Sequence, residues 1–324
     1  MKPFINSRPV KTAVLGLLAA LTFNVPLWGQ IGGTPGAFSR MGFGARGAGM
    51  GNAMSAVITG DLVSYYNPAL LPWTEQRQVS ASYGILSLDR NLNFLNFSTA
   101  IRPSAGVSIG VINSGVSEID GRDIDGNATG PMRTSENVFF LGFGNRFPGG
   151  FAIGLNIKLL YYQLYTDVSS TTVGIDAGAL VPIGNRVTVS ATVKDISSKY
   201  KWDTSNLYGQ QGKTSEDKFP LLYTVGAAYR LPDSLGLVAA EIELSDQKTF
   251  IGRFGLEVPL VPELTVRGGI DRIDLKENGN GIRPSLGFSA GKQLDGWTPT
   301  VNYAYVFEPF APTGMHLVSV SVRF

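Results

Sequence analysis

The chain of 324 residues contains no cysteine and a single histidine, His316. Without cysteine there is no disulfide framework, no thiolate metal site, no thiol nucleophile and no lipidated N-terminal cysteine. Charge is also sparse. Asp, Glu, Lys and Arg make up 16% of the chain, against about 25% in an ordinary soluble domain. The net charge of +2 provides no field for nucleic acid. Long hydrophobic runs are missing after the first residues, and a mean hydropathy of +0.09 is too low for a bundle of apolar helices. Chemistry-bearing constellations are equally scarce, so no cofactor, metal or catalytic residue is assigned.

One apolar stretch does occur, from Thr12 to Phe23, behind Lys2, Arg8 and Lys11. A basic start and an apolar run of roughly 7–15 residues describe an export signal better than a spanning helix, which needs about 20 apolar residues. Leu27 and Gly29 would flank cleavage before Gln30, giving a signal segment over 1–29. With no other run of that length, a membrane location requires a barrel.

Glycine, by contrast, is abundant at 40 residues. Residues 30–76 are rich in glycine and small side chains, with a short helix expected over Ala48–Val57 and a turn at Asn67–Pro68. From 77 to 324 the sequence breaks into about fourteen segments of roughly ten residues that alternate apolar with polar or small, the signature of a transmembrane strand. Val187, Val189, Ala191 and Val193 oppose Thr188, Ser190, Thr192 and Lys194. Ile153, Leu155, Ile157 and Leu159 oppose Gly154, Asn156 and Lys158; Phe254, Leu256 and Val258 oppose Arg253, Gly255 and Glu257. The last segment sets Val318, Val320, Val322 and Phe324 against Ser319, Ser321 and Arg323.

Connections separate a sandwich from a barrel. Short turns near Pro103, Pro148–Gly149, Gly184–Asn185, Pro232–Asp233, Pro262 and Asp295–Gly296 alternate with longer loops, notably Gly115–Ser135 and Ser197–Lys218. Strict alternation of short and long connections belongs to outer-membrane barrels and not to Greek-key sandwiches. The expected fold is therefore all-β, a transmembrane antiparallel barrel of about 14 strands with a small N-terminal hatch in its lumen. Tyr161, Tyr162, Tyr165, Tyr200, Trp202, Trp297, Tyr303 and Tyr305 fall near strand ends and are expected to form aromatic girdles. If the apolar faces meet lipid, Lys158, Asp176, Lys194, Arg230, Arg253, Glu257, Arg267 and Asp271 point into the lumen. Both signs are present, so the charges can pair, and no ring of one sign makes an ion-selective pore.

Three motifs tempt other readings. Gly42–Gly47 spells a dinucleotide fingerprint, but that chemistry needs a βαβ unit that is absent. Gly106–Gly110 and Gly287–Gly291 spell a nucleophile elbow around Ser108 and Ser289, yet both lie within alternating β-segments. A hydrolase would have to recruit His316. The acidic stretch Glu118–Gly130 misses the spacing of a calcium loop and reads as a solvated external loop.

The string from Gly44 to Leu71, through Gly44-Ala45-Arg46, Ala48, Met50-Gly51, Asn67-Pro68-Ala69 and Leu71, resembles the PorV/PorQ family, itself related to FadL-type long-chain fatty-acid transporters. The ending His316–Phe324 is similar to that family's last strand; the stretch Gly60–Ser64 departs from it, lacking paired acids before the serine. The resemblance implies a bacterial outer-membrane barrel with an inner hatch, in which Arg46, Asn52, Asn67, Pro68 and Ala69 are the motif residues. It implies either an accessory barrel of the type IX secretion system, binding secretion-system proteins or exported cargo, or FadL-like passage of a hydrophobic small molecule. Its other implied partners are outer-membrane lipid and the barrel-assembly machinery, the latter reading the C-terminal strand.

Overall fold

The computed structural model describes residues 34–165, 167–275 and 281–324; the expected signal segment and its cleavage point lie outside them. Seven strands come first: β1 (Gln78–Ile85), β2 (Arg90–Ile101), β3 (Ala105–Arg122), β4 (Ala128–Arg146), β5 (Ala152–Tyr165), β6 (Val168–Ile183) and β7 (Val187–Ile196). A two-stranded ribbon follows, β8 (Lys199–Asp203) and β9 (Thr214–Lys218). Seven more strands complete the wall: β10 (Leu222–Arg230), β11 (Leu237–Ser245), β12 (Phe250–Val261), β13 (Leu264–Asp274), β14 (Arg283–Gly291), β15 (Thr298–Val306) and β16 (Met315–Arg323).

All strands but β8 and β9 form one closed antiparallel barrel. Each pairs with its sequence neighbour, β7 with β10 across the ribbon, and β1 closes on β16 from Gln78↔Arg323 to Ile85↔His316. Closure leaves the wall no open edge and pairs its backbone between strands, the condition for crossing hydrocarbon without helices. One end carries the short turns together with Arg77 and Phe324, whose backbones bond each other. The other end carries the long loops.

Alternation places the side chains. Ile109, Leu141, Phe143, Ile153, Leu155, Ile157, Val225, Val318 and Val320 are exposed on the outer face. Their neighbours Ser108, Asn156, Lys158, Thr224, Ser319 and Ser321 are buried inside. A wall with a wide apolar outside and a buried polar inside is inverted relative to a soluble protein and matches a lipid-facing barrel.

Two expected loops turn out to be built. Residues 115–135 do not form a loose loop, because β3 and β4 stay paired beyond their outer neighbours as a projecting hairpin. At its tip Asp123 accepts from the Asn127 side chain and from the backbone amides of Asp125 and Asn127. Those donors hold its carboxyl below the usual carboxylate range. Residues 199–218 fold as the ribbon, which lies on the loop end of β6 through Thr172 Oγ1 donating to the Lys199 carbonyl and Lys201 N donating to Ser170 Oγ at 2.7 Å. The ribbon also corrects the girdle: Tyr162, Tyr200 and Trp202 pack on one another and Tyr200 on Phe219, with centroids 4.9–5.5 Å apart, instead of lining a lipid boundary. Tyr165 and Trp297 are exposed.

Residues 34–76 fill the lumen. They comprise a 3-10 turn (Ala37–Arg40), the short helix α1 (Gly44–Gly49) and a second 3-10 turn (Pro68–Trp73). The helix lies upstream of the expected Ala48–Val57 because the chain turns sharply at Met50–Gly51. There Gly51 has φ 58° and presses on the wall, where a Cβ would come within 2.6 Å of the Phe254 carbonyl oxygen. A helix cannot continue through that contact. The expected turn at Asn67–Pro68 is the start of the second 3-10 segment; Asn67 caps it, its Oδ1 accepting from Ala69 N at 2.8 Å.

Candidate functional site

The hatch is seated on wall positions that carry no side chain. Gly154 lies against Pro68, Gly178 against Asn67, Gly106 and Gly144 against Leu71, Gly226 against Ser55, and Gly255 and Gly269 against Met50 and Gly51. Each of these glycines falls on the inward parity of its strand, so a methyl there would overlap the hatch. Sequence reading set Gly154 and Gly255 opposite the apolar faces of their strands and gave no role to the others. Their meaning appears only once hatch and wall are brought together.

Polar groups then tie the hatch to the glycine seat. Arg46 Nε and Nη2 donate to Glu257 at 2.9 and 3.0 Å, and Arg46 Nη1 to the Thr59 carbonyl at 2.7 Å. Arg267 Nε reaches the same Glu257 at 2.6 Å, so one carboxylate serves two guanidinium groups. Asn52 donates to Asp271 at 3.0 Å and accepts from the Tyr66 hydroxyl at 3.0 Å. Asn67, fully buried, donates to the carbonyls of Ser55 and Ala179. Pro68 and Ala69 are buried beside it. Asp61 accepts from Ser321 at 2.6 Å. The Tyr65 hydroxyl donates to the Ser39 carbonyl at 2.8 Å, a bond within the hatch itself.

Two further ion networks belong to the wall. Lys158 binds Asp176 at 2.6 Å and Asp195 at 2.5 Å. Arg253 gathers Glu243 at 3.0 Å, Asp271 at 2.8 Å and Glu241 at 3.5 Å. Glu241 also accepts from Ser55 N of the hatch at 2.5 Å. Lys194 stands over the rings of Tyr65 and Tyr66, 4.9 and 5.9 Å from their centroids, an attraction that strengthens in a desolvated site. Of the residues expected in the lumen, Lys158, Asp176, Lys194, Arg253, Glu257, Arg267 and Asp271 lie there. Arg230 does not. It has the inward parity of β10 but is that strand's last residue, exposed at the turn end, donating to the Asn185 carbonyl.

Sequence reading missed Glu241 and Glu243, although they alternate with Ile242 and Leu244 in the same period. It could not find Asp195 by parity. The register of β6 and β7 shifts between Ile175 and Ala177, and Asp195 has φ 64°. This bulge turns Lys194 and Asp195 inward together. A second bulge, with Arg272 at φ 57°, does the same for Asp271 and Arg272.

The other missed feature is apolar. Near the loop end, Leu92, Phe94, Ile112, Val138, Phe140 and Leu160 are buried on the inner face of β2–β5. Phe43 of the hatch covers them, its ring 4.7 Å from Phe94 and 5.9 Å from Phe140. A porin interior is polar and water-filled; this wall instead offers hydrocarbon on both faces at one level. The signal was present as apolar doublets that break alternation, Phe139–Phe140 and Leu159–Leu160. Beside this patch a cavity of about 50 Å³ lies between hatch and wall, bordered by Tyr65, Phe140, Lys158, Lys194 and Arg253. A benzene-sized guest needs about 150 Å³. At its size the hatch cavity holds water at most.

Ser108 donates to Asn96 Oδ1 at 2.7 Å and Ser289 accepts from Arg267 at 3.0 Å, both inside the barrel. His316 is exposed on the outer face, where it pairs with the Tyr303 hydroxyl at 2.8 Å. The wall therefore separates the histidine from both serines.

Removing the central carboxylate should be costly. Glu257→Ala leaves Arg46 and Arg267 buried without a counter-charge, a change worth about 3–5 kcal/mol. The expected result is a hatch cleaved by external protease in an otherwise folded barrel; resistance equal to wild type would show that the pair does not hold the hatch.

The fold and its filling define a class: a closed fourteen-stranded antiparallel barrel with its own N-terminal segment lodged in the lumen. No family model matches the sequence, and no curated protein matches it. Solved structures do. The chain is similar to the CymD monoaromatic hydrocarbon channel, with 12% identity, 87% of this chain and 97% of that chain covered, and a TM-score of 0.63. It is also similar to the Pseudomonas putida toluene transporter TodX, at 12% identity, 87% and 96% coverage and a TM-score of 0.57. A Pseudomonas aeruginosa FadL homologue gives 12% identity, 87% and 98% coverage and a TM-score of 0.58. At such identities the likeness is one of fold. It is a likeness to FadL-type barrels and lends no support to PorV/PorQ membership.

Proposed function

We propose that the chain is an outer-membrane channel for hydrophobic small molecules, closed at rest by its N-terminal hatch. The observation that carries this reading is the inward apolar patch of Leu92, Phe94, Ile112, Val138, Phe140 and Leu160 beneath Phe43. Burying hydrocarbon inside an aqueous pore has no use for ions or sugars, whereas an apolar solute gains roughly 25 cal/mol for each Å² it removes from water. The structural neighbours named for hydrocarbon and toluene transport fit the same chemistry.

In this reading residues 1–29 direct export, 30–76 form the hatch and 77–324 the barrel. The last strand is read by the barrel-assembly machinery, and the lumen charges hold the hatch in place. The wall ladder is continuous past the hatch, broken only by bulges, so passage begins with displacement of the hatch. The type IX secretion reading keeps its basis in the Gly44–Leu71 resemblance and gains a surface in the ribbon, whose tip exposes Leu207 and Tyr208.

Uptake of radiolabelled toluene by cells producing the protein tests the channel. Uptake should exceed that of cells lacking it and fall to background in Phe140→Asp, with the barrel still folded by heat-modifiable gel migration. Uptake untouched by Phe140→Asp would remove the patch from the path. Ribbon-dependent co-purification of secretion proteins, with no uptake in wild type, would favour the accessory role.

A further inference from the structure

The ribbon β8–β9 lies over the lumen and not beside it. A two-stranded ribbon is marginal in water by itself, so its order comes from what it lies on. The wall groups that hold it have inward parity. Glu136, Tyr162 and Ser170 stand side by side across β4, β5 and β6, and Val138, Leu160 and Thr172 form the next inward row towards the turn end. The Tyr200 hydroxyl donates to Glu136 Oε2 at 2.9 Å, the rings of Tyr200 and Trp202 pack on Tyr162, and Lys201 N donates to Ser170 Oγ. One row lower, Thr172 Oγ1 donates to the Lys199 carbonyl. One row lower again, Gly174 leaves room for the Ser198 side chain, which a methyl there would overlap.

Backbone geometry directs the ribbon inward. The chain enters it through Asp195 at φ 64° and Ser197 at φ 59°, left-handed positions that turn it from the wall across the mouth. It leaves through Phe219, whose amide donates to the Ser198 carbonyl at 3.0 Å, and Pro220. Phe219 is buried, and against its ring lies Gly36 of the hatch. Gly36 has φ 68° and lacks the side chain that would overlap that ring. The ribbon therefore touches two things at once: the inward row next to Val138 and Leu160 of the apolar patch, and the start of the hatch.

We propose that the ribbon is a strap across the loop-end mouth. It covers the approach to the apolar patch, bears on the first turn of the hatch, and lifts about Ser197 and Pro220 to admit a solute. Admission rests on the channel reading; the covering of the wall does not. The attachments suit a strap that opens. The ribbon forms a sheet of its own and shares no strand ladder with the wall, so it can part from β4–β6 while the barrel stays closed. What holds it is a few side-chain hydrogen bonds and ring contacts, each of modest net strength because water replaces the lost partner. Elements held this way open locally well before the whole fold does. Tyr200 is the latch to the wall and Phe219 the latch to the hatch.

Because the chain holds no cysteine, Ser170→Cys supplies a single thiol under the strap, at a position 2% exposed at rest. On cells producing the protein, a membrane-impermeant maleimide should label it slowly. Tyr200→Phe and Phe219→Ala should each speed the labelling on the order of tenfold, with the barrel folded by heat-modifiable migration. A second arm fixes the strap: Glu136→Cys with Tyr200→Cys, bridged by a short bifunctional thiosulfonate, should bring toluene uptake to background, and reduction should restore it. Labelling of Ser170→Cys as fast as in the denatured chain, rates unchanged in both latch variants, or full uptake with the bridge closed would each overturn the strap. Absence of uptake before bridging would remove the channel reading instead, and the labelling arm would then decide. If Phe219→Ala does not fold, Tyr200→Phe, which keeps its ring, decides alone.

Discussion

Ile157→Arg will leave the barrel unassembled. Ile157 stands midway along β5, 57% exposed on the outer face, and arginine facing mid-bilayer hydrocarbon costs about 2–4 kcal/mol. The next residue makes the converse experiment. Lys158 points inward between Asp176 and Asp195, and Lys158→Ile strands both carboxylates in a buried site at about 3–5 kcal/mol. Adjacent positions therefore fail for opposite substitutions, a charge gained outside and a charge lost inside. Heat-modifiable migration after refolding into lipid vesicles, followed by urea titration, separates the two. Assembly of Ile157→Arg at the wild-type level would mean that the outer face does not meet lipid, and the channel reading would go with it.

A double change at the hatch seat should open the lumen without dismantling the wall. Gly154→Val and Gly178→Val place side chains where Pro68 and Asn67 now lie; Gly154 faces hatch backbone, which no side-chain rotation clears, and Gly178 faces the Asn67 side chain, which is held by its bonds to Ser55, Ala179 and Ala69. Both sites are strand positions where valine is favoured, so the barrel itself has no reason to weaken. The expected result is an N-terminal segment cut by protease and a planar-bilayer conductance absent from wild type. A closed, protease-resistant double variant would show that the hatch is retained by its ion pairs alone. The Glu257→Ala variant then distinguishes the two modes of attachment.

The outer wall was legible because a strand's side-chain period is two and lipid enforces it strictly along Ile153, Leu155, Ile157 and Leu159. The inner wall was legible only where it is polar. Reading every apolar side chain as lipid-facing hid Phe140 and Leu160, which face inward next to the outward Phe139 and Leu159. Bulges hid Asp195 and Arg272, since one extra residue defeats a parity argument from that point on. Arg230 shows a different limit: parity gives a side chain's direction but not its shielding, and Arg230 is exposed at the turn end of β10. The glycine seat is a tertiary fact. Nothing in the sequence around Gly154 distinguishes a glycine that touches Pro68 from one that merely lightens a strand.

The hatch's attachments also set an order of events during biogenesis. Ala45 is emitted early but bonds Ser319, 274 residues later, and Arg46 waits 211 residues for Glu257. Contacts so distant pay their loop-closure entropy late. The two halves of the plug therefore depend on different parts of the wall: the second 3-10 turn seats on Gly106, Gly144, Gly154 and Gly178 of β3–β6, whereas α1 has its partners Glu257 and Ser319 only in β12 and β16. A barrel lacking β12–β16 would leave α1 without these anchors, so the final strands perform two tasks at once, sealing the cylinder and fastening its cork.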